Sequence, residues 1–150
     1  MLTVPQNNGW TEFSLKDTDT YKLSWLTDVP SEWLDAAIVG LTERIPFMCT
    51  GMTEPGRLIC VVSRYMCHII WEPEGSPADS SAPPKTEHVE MSVLDYCKEL
   101  SEDISRDIDA WVEFGTAHDE IDKARHRLIL EEKLEALGTV IRRDYRVTLF

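Results

Sequence analysis

The alternation of apolar and polar positions divides the chain into a strand-rich first half and a helical second half. Over Trp10–Leu15, Phe13 and Leu15 share one face; over Thr20–Leu26, Tyr21, Leu23 and Trp25 share one face opposite Lys22 and Ser24. A period of two with aromatic and branched residues reads as two strands. The polar run Lys16-Asp17-Thr18-Asp19 between them predicts a hairpin. Asp28 can then accept from the free amides of a first helical turn, where Pro30 is tolerated because no amide donor is needed. Trp33, Leu34, Ala37, Ile38 and Leu41 follow at helical spacing, which predicts a helix over Pro30–Glu43, closed by Pro46.

Phe47–Thr53 and Arg57–Ser63 flank Glu54-Pro55-Gly56-Arg57, a type II turn sequence with glycine where a positive φ is required. This predicts a second hairpin. From Leu58 to Glu72 the alternation is unbroken, with Ile59, Val61, Tyr65, Cys67, Ile69 and Trp71 on one side and Leu58, Cys60, Val62, Met66, His68 and Ile70 on the other. One long bent strand and two short strands both fit, since no Gly, Pro, Asn or Asp marks a turn near Arg64–Met66. Pro73–Thr86 is rich in Pro, Ser and Ala and nearly free of apolar bulk, the composition of a flexible loop. Val93, Tyr96 (or Cys97), Leu100, Ile104, Ile108, Trp111 and Val112 predict a helix over Ser92–Phe114, stopped by Gly115. A second long helix is predicted from His118 to about Arg146, with Ile121, Ala124, Leu128, Leu134, Leu137 and Ile141 as its apolar stripe. The short connection favours an antiparallel helical hairpin. The expected architecture is a single α+β domain over residues 1–150. It has an antiparallel sheet of four to five strands, covered by one helix and a C-terminal helical hairpin, with the loop at 73–86 between the two halves.

At 150 residues the chain is long enough to bury a core without disulfides or metals. Charge narrows the function more than size does. There are 27 acidic residues against 15 Lys and Arg, a net charge of −12. Residues 1–116 hold 20 acidic and 8 basic residues, whereas 117–150 hold 7 of each. Binding to nucleic acid or to an anionic membrane is disfavoured, because phosphate contacts require Lys and Arg. No signal-peptide pattern, lipidation motif or bilayer-length apolar run is visible, so a cytoplasmic location is expected. Cys49, Cys60, Cys67 and Cys97 form no CxxC pair, and three lie in apolar stretches, as buried free thiols of a reducing compartment do.

Catalytic motifs are missing: there is no GxSxG, P-loop, GxGxxG or HExxH. Cys67 and His68 are adjacent, but neighbours in a strand point to opposite faces and cannot serve one substrate. His118, Asp122 and His126 are spaced i, i+4, i+8, a ridge on which a metal could sit, although the flanking charges suit a solvated face. Glu102 with Asp103, and Asp107 with Asp109, are paired carboxylates on what the pattern makes the outer face of the helix. Solvation there is the plainer reading than hydrolysis. Of five tryptophans, Trp25, Trp33, Trp71 and Trp111 fall at core-facing positions and Trp10 does not.

Three stretches together, DVPSEWLDAAIVGL, EPGRLICVVSRYMCHIIWE and LDYCKELSEDISRDIDAWVEF, resemble small acidic bacterial proteins that accompany secreted polymorphic toxins as immunity proteins. The resemblance spans Phe13–Phe114 in layout and carries no diagnostic motif. It implies a toxin-neutralising role and no particular site residues. With the charge pattern, it makes a non-enzymatic protein-binding domain the expected function, with no cofactor. The partner would be a basic protein such as a nuclease toxin, since a protein that grips phosphates must itself be basic. Candidate contacts are Asp95, Glu99, Glu102, Asp103, Asp109 and Glu113, expected to face outward opposite the apolar stripe. The alternatives are a metal-dependent hydrolase using His118, Asp122 and His126, and a structural or regulatory oligomer formed through the C-terminal helix.

Overall fold

A computed structural model describes residues 1–6, 9–73, 83–114 and 119–148, with side chains as far as 144. The elements in chain order are β1 (Trp10–Phe13), β2 (Tyr21–Ser24), α1 (Val29–Glu43), β3 (Phe47–Met52), β4 (Arg57–Val62), β5 (Met66–Glu72), β6 (Lys85–Glu90), α2 (Val93–Arg106), α3 (Ile108–Phe114) and α4 (Glu120–Thr148). The α+β class is as expected, but the strands divide into two sheets. β1 and β2 form one hairpin, and β3-β4-β5-β6 form a separate antiparallel meander.

The unbroken pattern from Leu58 to Glu72 resolves into two strands. Val62 pairs with Cys67 and Cys60 with Ile69, so even-numbered residues of β4 stand beside odd-numbered residues of β5. Leu58, Cys60, Val62, Cys67 and Ile69 are therefore all buried on one face. A single strand would have split this set between two faces. Ser63 makes the turn: its amide and its hydroxyl both donate to the Met66 carbonyl, at 2.9 and 2.8 Å. At the β3–β4 turn Gly56 has φ +91°, and a Cβ there would lie 2.1 Å from the Glu72 carbonyl oxygen.

The inner face of the four-stranded sheet is covered by α1, α2 and the β1–β2 hairpin. Asp28 caps α1 by accepting from the Ser31 amide at 3.3 Å, and Pro30 occupies the first turn. Gly40 lets α1 approach β3, since a Cβ there would meet the Phe47 ring at 2.1 Å. Trp33 stands edge-on to Phe13, with centroids 5.3 Å apart, and its indole N–H donates to the Thr50 carbonyl at 2.8 Å. One tryptophan thus ties α1 to both sheets. Tyr96 of α2 packs against Phe47 beside the four free, buried cysteines.

Several expectations change. Trp25 is 42% exposed because β2 ends at Ser24; past that point the chain turns, the Trp25 amide donates to the Gly9 carbonyl, and its ring lies over Gly9. Of the expected loop at 73–86, residues 74–82 lie outside the described residues, while Lys85 and Thr86 already belong to β6, paired with Trp71 and Ile70. The expected helix over Ser92–Phe114 is broken at Asp107 into α2 and α3. The connection 115–118 is outside the described residues, and α4 lies most extensively against α1 rather than against α2 or α3. Among its described side chains the buried ones are Leu130 and Leu137, whereas Ile121, Ala124 and Leu128, expected inside, are exposed, the first and last at 73% and 55%. No helix is long and apolar enough to cross a membrane among the described residues.

Candidate functional site

The acidic surface is built on α2. Ser92 is its N-cap: the hydroxyl accepts from the Asp95 amide at 3.0 Å and donates to the Asp95 carboxylate at 2.8 Å. Tyr96, Cys97, Leu100, Asp103 and Ile104 form the buried stripe. That orientation leaves Asp95, Glu99 and Glu102 exposed at i, i+4 and i+7, a single ridge on the opposite side. Among the described residues, neither Glu99 nor Glu102 has a hydrogen-bond or ion-pair partner.

The other three candidates are placed differently. Asp103 is inside, not on the surface. Its carboxylate accepts from the Leu2 amide at 2.8 Å, lies 3.2 Å from the Met1 nitrogen and meets Arg106 at 3.1 Å. It joins α2 to the segment running beside β1, where the Thr3 amide donates to the Glu12 carbonyl and the Ser14 amide to the Met1 carbonyl. Asp109 and Glu113 are exposed, as expected, but each reaches α4. Asp109 pairs with Arg127, and Glu113 lies 2.7 Å from Lys123. The cause is the break at Asp107, whose backbone ends α2 while its carboxylate accepts from the Ala110 amide at 3.1 Å to cap α3. Of six carboxylates expected on one outward face, three form an unpaired or locally capped ridge and three are engaged within the domain.

The residues weighed for metal or nucleophilic chemistry are dispersed. His118 lies outside the described residues. Asp122 is exposed, while His126 is half-buried against the start of α1, with Nε2 3.3 Å from Asp28 Oδ2. No group of three or more potential metal ligands comes together among the described residues. Cys67 is fully buried and His68 is exposed on the other face. Burial pushes the Cys97 thiol up to about 12, which disfavours the thiolate that a nucleophile or metal ligand requires. The Cys60 thiol, hydrogen-bonded to Cys67, lowers Cys67 against the opposing effect of burial, but Cys67 is enclosed in the core, out of reach of a substrate.

The His126–Asp28 pair makes docking of α4 sensitive to pH. The Asp28 carboxylate holds His126 above its ordinary 6.5, although burial works against this. Burial pushes Asp28 up, but His126, the Ser31 amide and Lys133 more than reverse it and leave it below 3.8. The histidine's contribution is complete below pH 6.5 and is lost as pH rises through its higher folded value. The aspartate's contribution is present above 3.8 and is lost as pH falls through its lower folded value. The stability difference between the parent and His126→Gln should therefore be greatest near pH 5 and shrink by pH 9. Urea unfolding at several pH values reads this; a difference that grows toward pH 9 would contradict it.

Compared with known proteins, the chain matches no family model, no curated protein and no solved structure.

Proposed function

We propose that the chain is a non-enzymatic binding domain for a basic protein, acting as an immunity protein that neutralises a basic toxin by occluding its site. The observation that carries this reading is the α2 ridge. Asp95, Glu99 and Glu102 project from a helix whose other side is fixed in the core, and two of them have no partner among the described residues. Like charges on one helix face oppose folding by a few tenths of a kcal/mol per pair. Their return comes outside the domain, where complementary charge raises the association rate and suppresses wrong partners. The net charge of −12 extends the same attraction beyond contact. The interface centres on Asp95, Glu99 and Glu102; Asp109 and Glu113 join it only by releasing Arg127 and Lys123, and Asp103 serves the fold. A nuclease fits the partner's chemistry, and the resemblance to immunity proteins points the same way.

The test pairs stability with association. Glu99→Gln with Glu102→Gln should leave the urea midpoint within about 0.5 kcal/mol of the parent. A tagged parent chain should capture a basic protein from lysate of the source cells. The double variant should associate with that protein several-fold more slowly by stopped flow, with the difference shrinking as salt rises. An unchanged association rate would move the interface off α2. A second reading, self-association through α4, is favoured by exposed Ile121 and Leu128 at i and i+7; a sedimentation coefficient that rises with protein concentration would support it.

A further inference from the structure

The outer face of the four-stranded sheet carries a feature that the acidic ridge does not use. His68 of β5 and His88 of β6 are direct partners across the strand pair, with ring centroids 6.0 Å apart and planes inclined by 41°. Both side chains are exposed. We infer that they form a surface site for one borderline transition-metal ion of the Zn²⁺ or Ni²⁺ class, held by two imidazoles.

The geometry needs little adjustment. Metal–imidazole bonds of about 2.0–2.1 Å to one tetrahedral ion place two ring centroids about 5 Å apart, so the rings close by about 1 Å. Exposed rings make that movement by a small rotation, while the backbone pairing of β5 and β6 keeps their Cα atoms in register. The flanking pairs on this face are Met66 with Glu90 and Ile70 with Thr86, so one carboxylate shares the face with the site, in a chain whose net charge of −12 concentrates cations. No third potential ligand completes a cluster among the described residues, so water fills the remaining positions and the ion exchanges with solvent. Imidazole selects Zn²⁺, Ni²⁺ and Cu²⁺ over Mg²⁺ and Ca²⁺, which prefer oxygen. A bound ion clips β6, the polar edge strand, onto β5, so metal and edge-strand stability are linked. This inference is independent of the proposed partner.

Titration of the whole chain with Zn²⁺, Ni²⁺ and Mg²⁺ in turn, against a chromophoric chelator, tests it. The expected result is one Zn²⁺ or one Ni²⁺ per chain, no competition from Mg²⁺, and at least tenfold weaker binding in both His68→Ala and His88→Ala. Saturating Zn²⁺ should raise the Tm of the parent and of His126→Gln but not that of His68→Ala. Because both substitutions replace exposed side chains, cooperative melting of each variant without metal shows that the fold is kept. Binding that survives both variants, or that disappears only when His118 and His126 are replaced together, overturns the assignment.

Discussion

Trp33→Ala is expected to cost about 4 kcal/mol, a large fraction of the roughly 5–15 kcal/mol that holds a domain together. The side chain is 1% exposed, so its removal opens a cavity instead of exposing a surface already in contact with water. Three elements meet at this ring: it stands on α1, packs edge-on against Phe13 of β1, and donates to the Thr50 carbonyl of β3. Alanine deletes the ring and also leaves that carbonyl without its indole donor, which adds to the cavity term. Trp25 provides the internal comparison. At 42% exposure it lies over Gly9, and Trp25→Ala should cost no more than about 1 kcal/mol. Urea midpoints for the two variants measure the contrast. Equal losses would mean that Trp33 does not join the two sheets.

What could be read from the sequence, and what could not, follows from the range of the forces involved. α1 was legible from end to end, because its cap, its proline and its apolar stripe are all local. β6 was not. Lys85–Glu90 is polar on both faces, with Val89 as its single aliphatic residue, so it has no period-two signal; it is a strand because β5 presents backbone groups to pair with. The break at Asp107 was masked by an apolar stripe that continues through Ile104, Ile108 and Trp111, although an aspartate two residues after Ser105 is an available cap for a new helix. The turn at Ser63 gave no comparable signal, because it is closed by the Ser63 amide and hydroxyl on the Met66 carbonyl and contains neither Gly nor Pro. The face that α4 buries was beyond local reading. It is chosen by contacts to α1: His126 with Asp28, and Lys133 with Ser31 and Asp35. Leu130 and Leu137 lie on the same side as those contacts and are buried with them, while Ile121 and Leu128 are left outside. The candidate interface was legible as a charged helix, and the ridge Asp95, Glu99 and Glu102 keeps that character. The inward turn of Asp103 was not legible, because its partner is the Leu2 amide at the far end of the sequence.

Asp103→Ala should cost on the order of 3 kcal/mol, in contrast to the near-neutral changes at Glu99 and Glu102. Its carboxylate is the acceptor for the Leu2 amide, and the Leu2 side chain is itself 2% exposed in the core. Alanine strands that amide where water does not replace the lost acceptor, and an orphaned buried donor costs more than the original bond contributed. The partners differ in what they lose. The Arg106 side chain is 60% exposed and can turn to solvent, so Arg106→Ala should cost no more than about 1 kcal/mol. Asp103→Asn keeps one acceptor oxygen and should fall between these two. Urea unfolding of the three variants gives the order, and a loss in Asp103→Ala no larger than in Arg106→Ala would place the carboxylate on the surface after all. The order also governs how binding experiments are designed. A variant that neutralises Asp103 together with Glu99 and Glu102 loosens α2 from the segment beside β1, and any loss of partner binding then reflects partial unfolding as much as lost charge. Restricting substitutions to the outward ridge separates the two effects, because that ridge can be neutralised while the buried carboxylate keeps α2 in place.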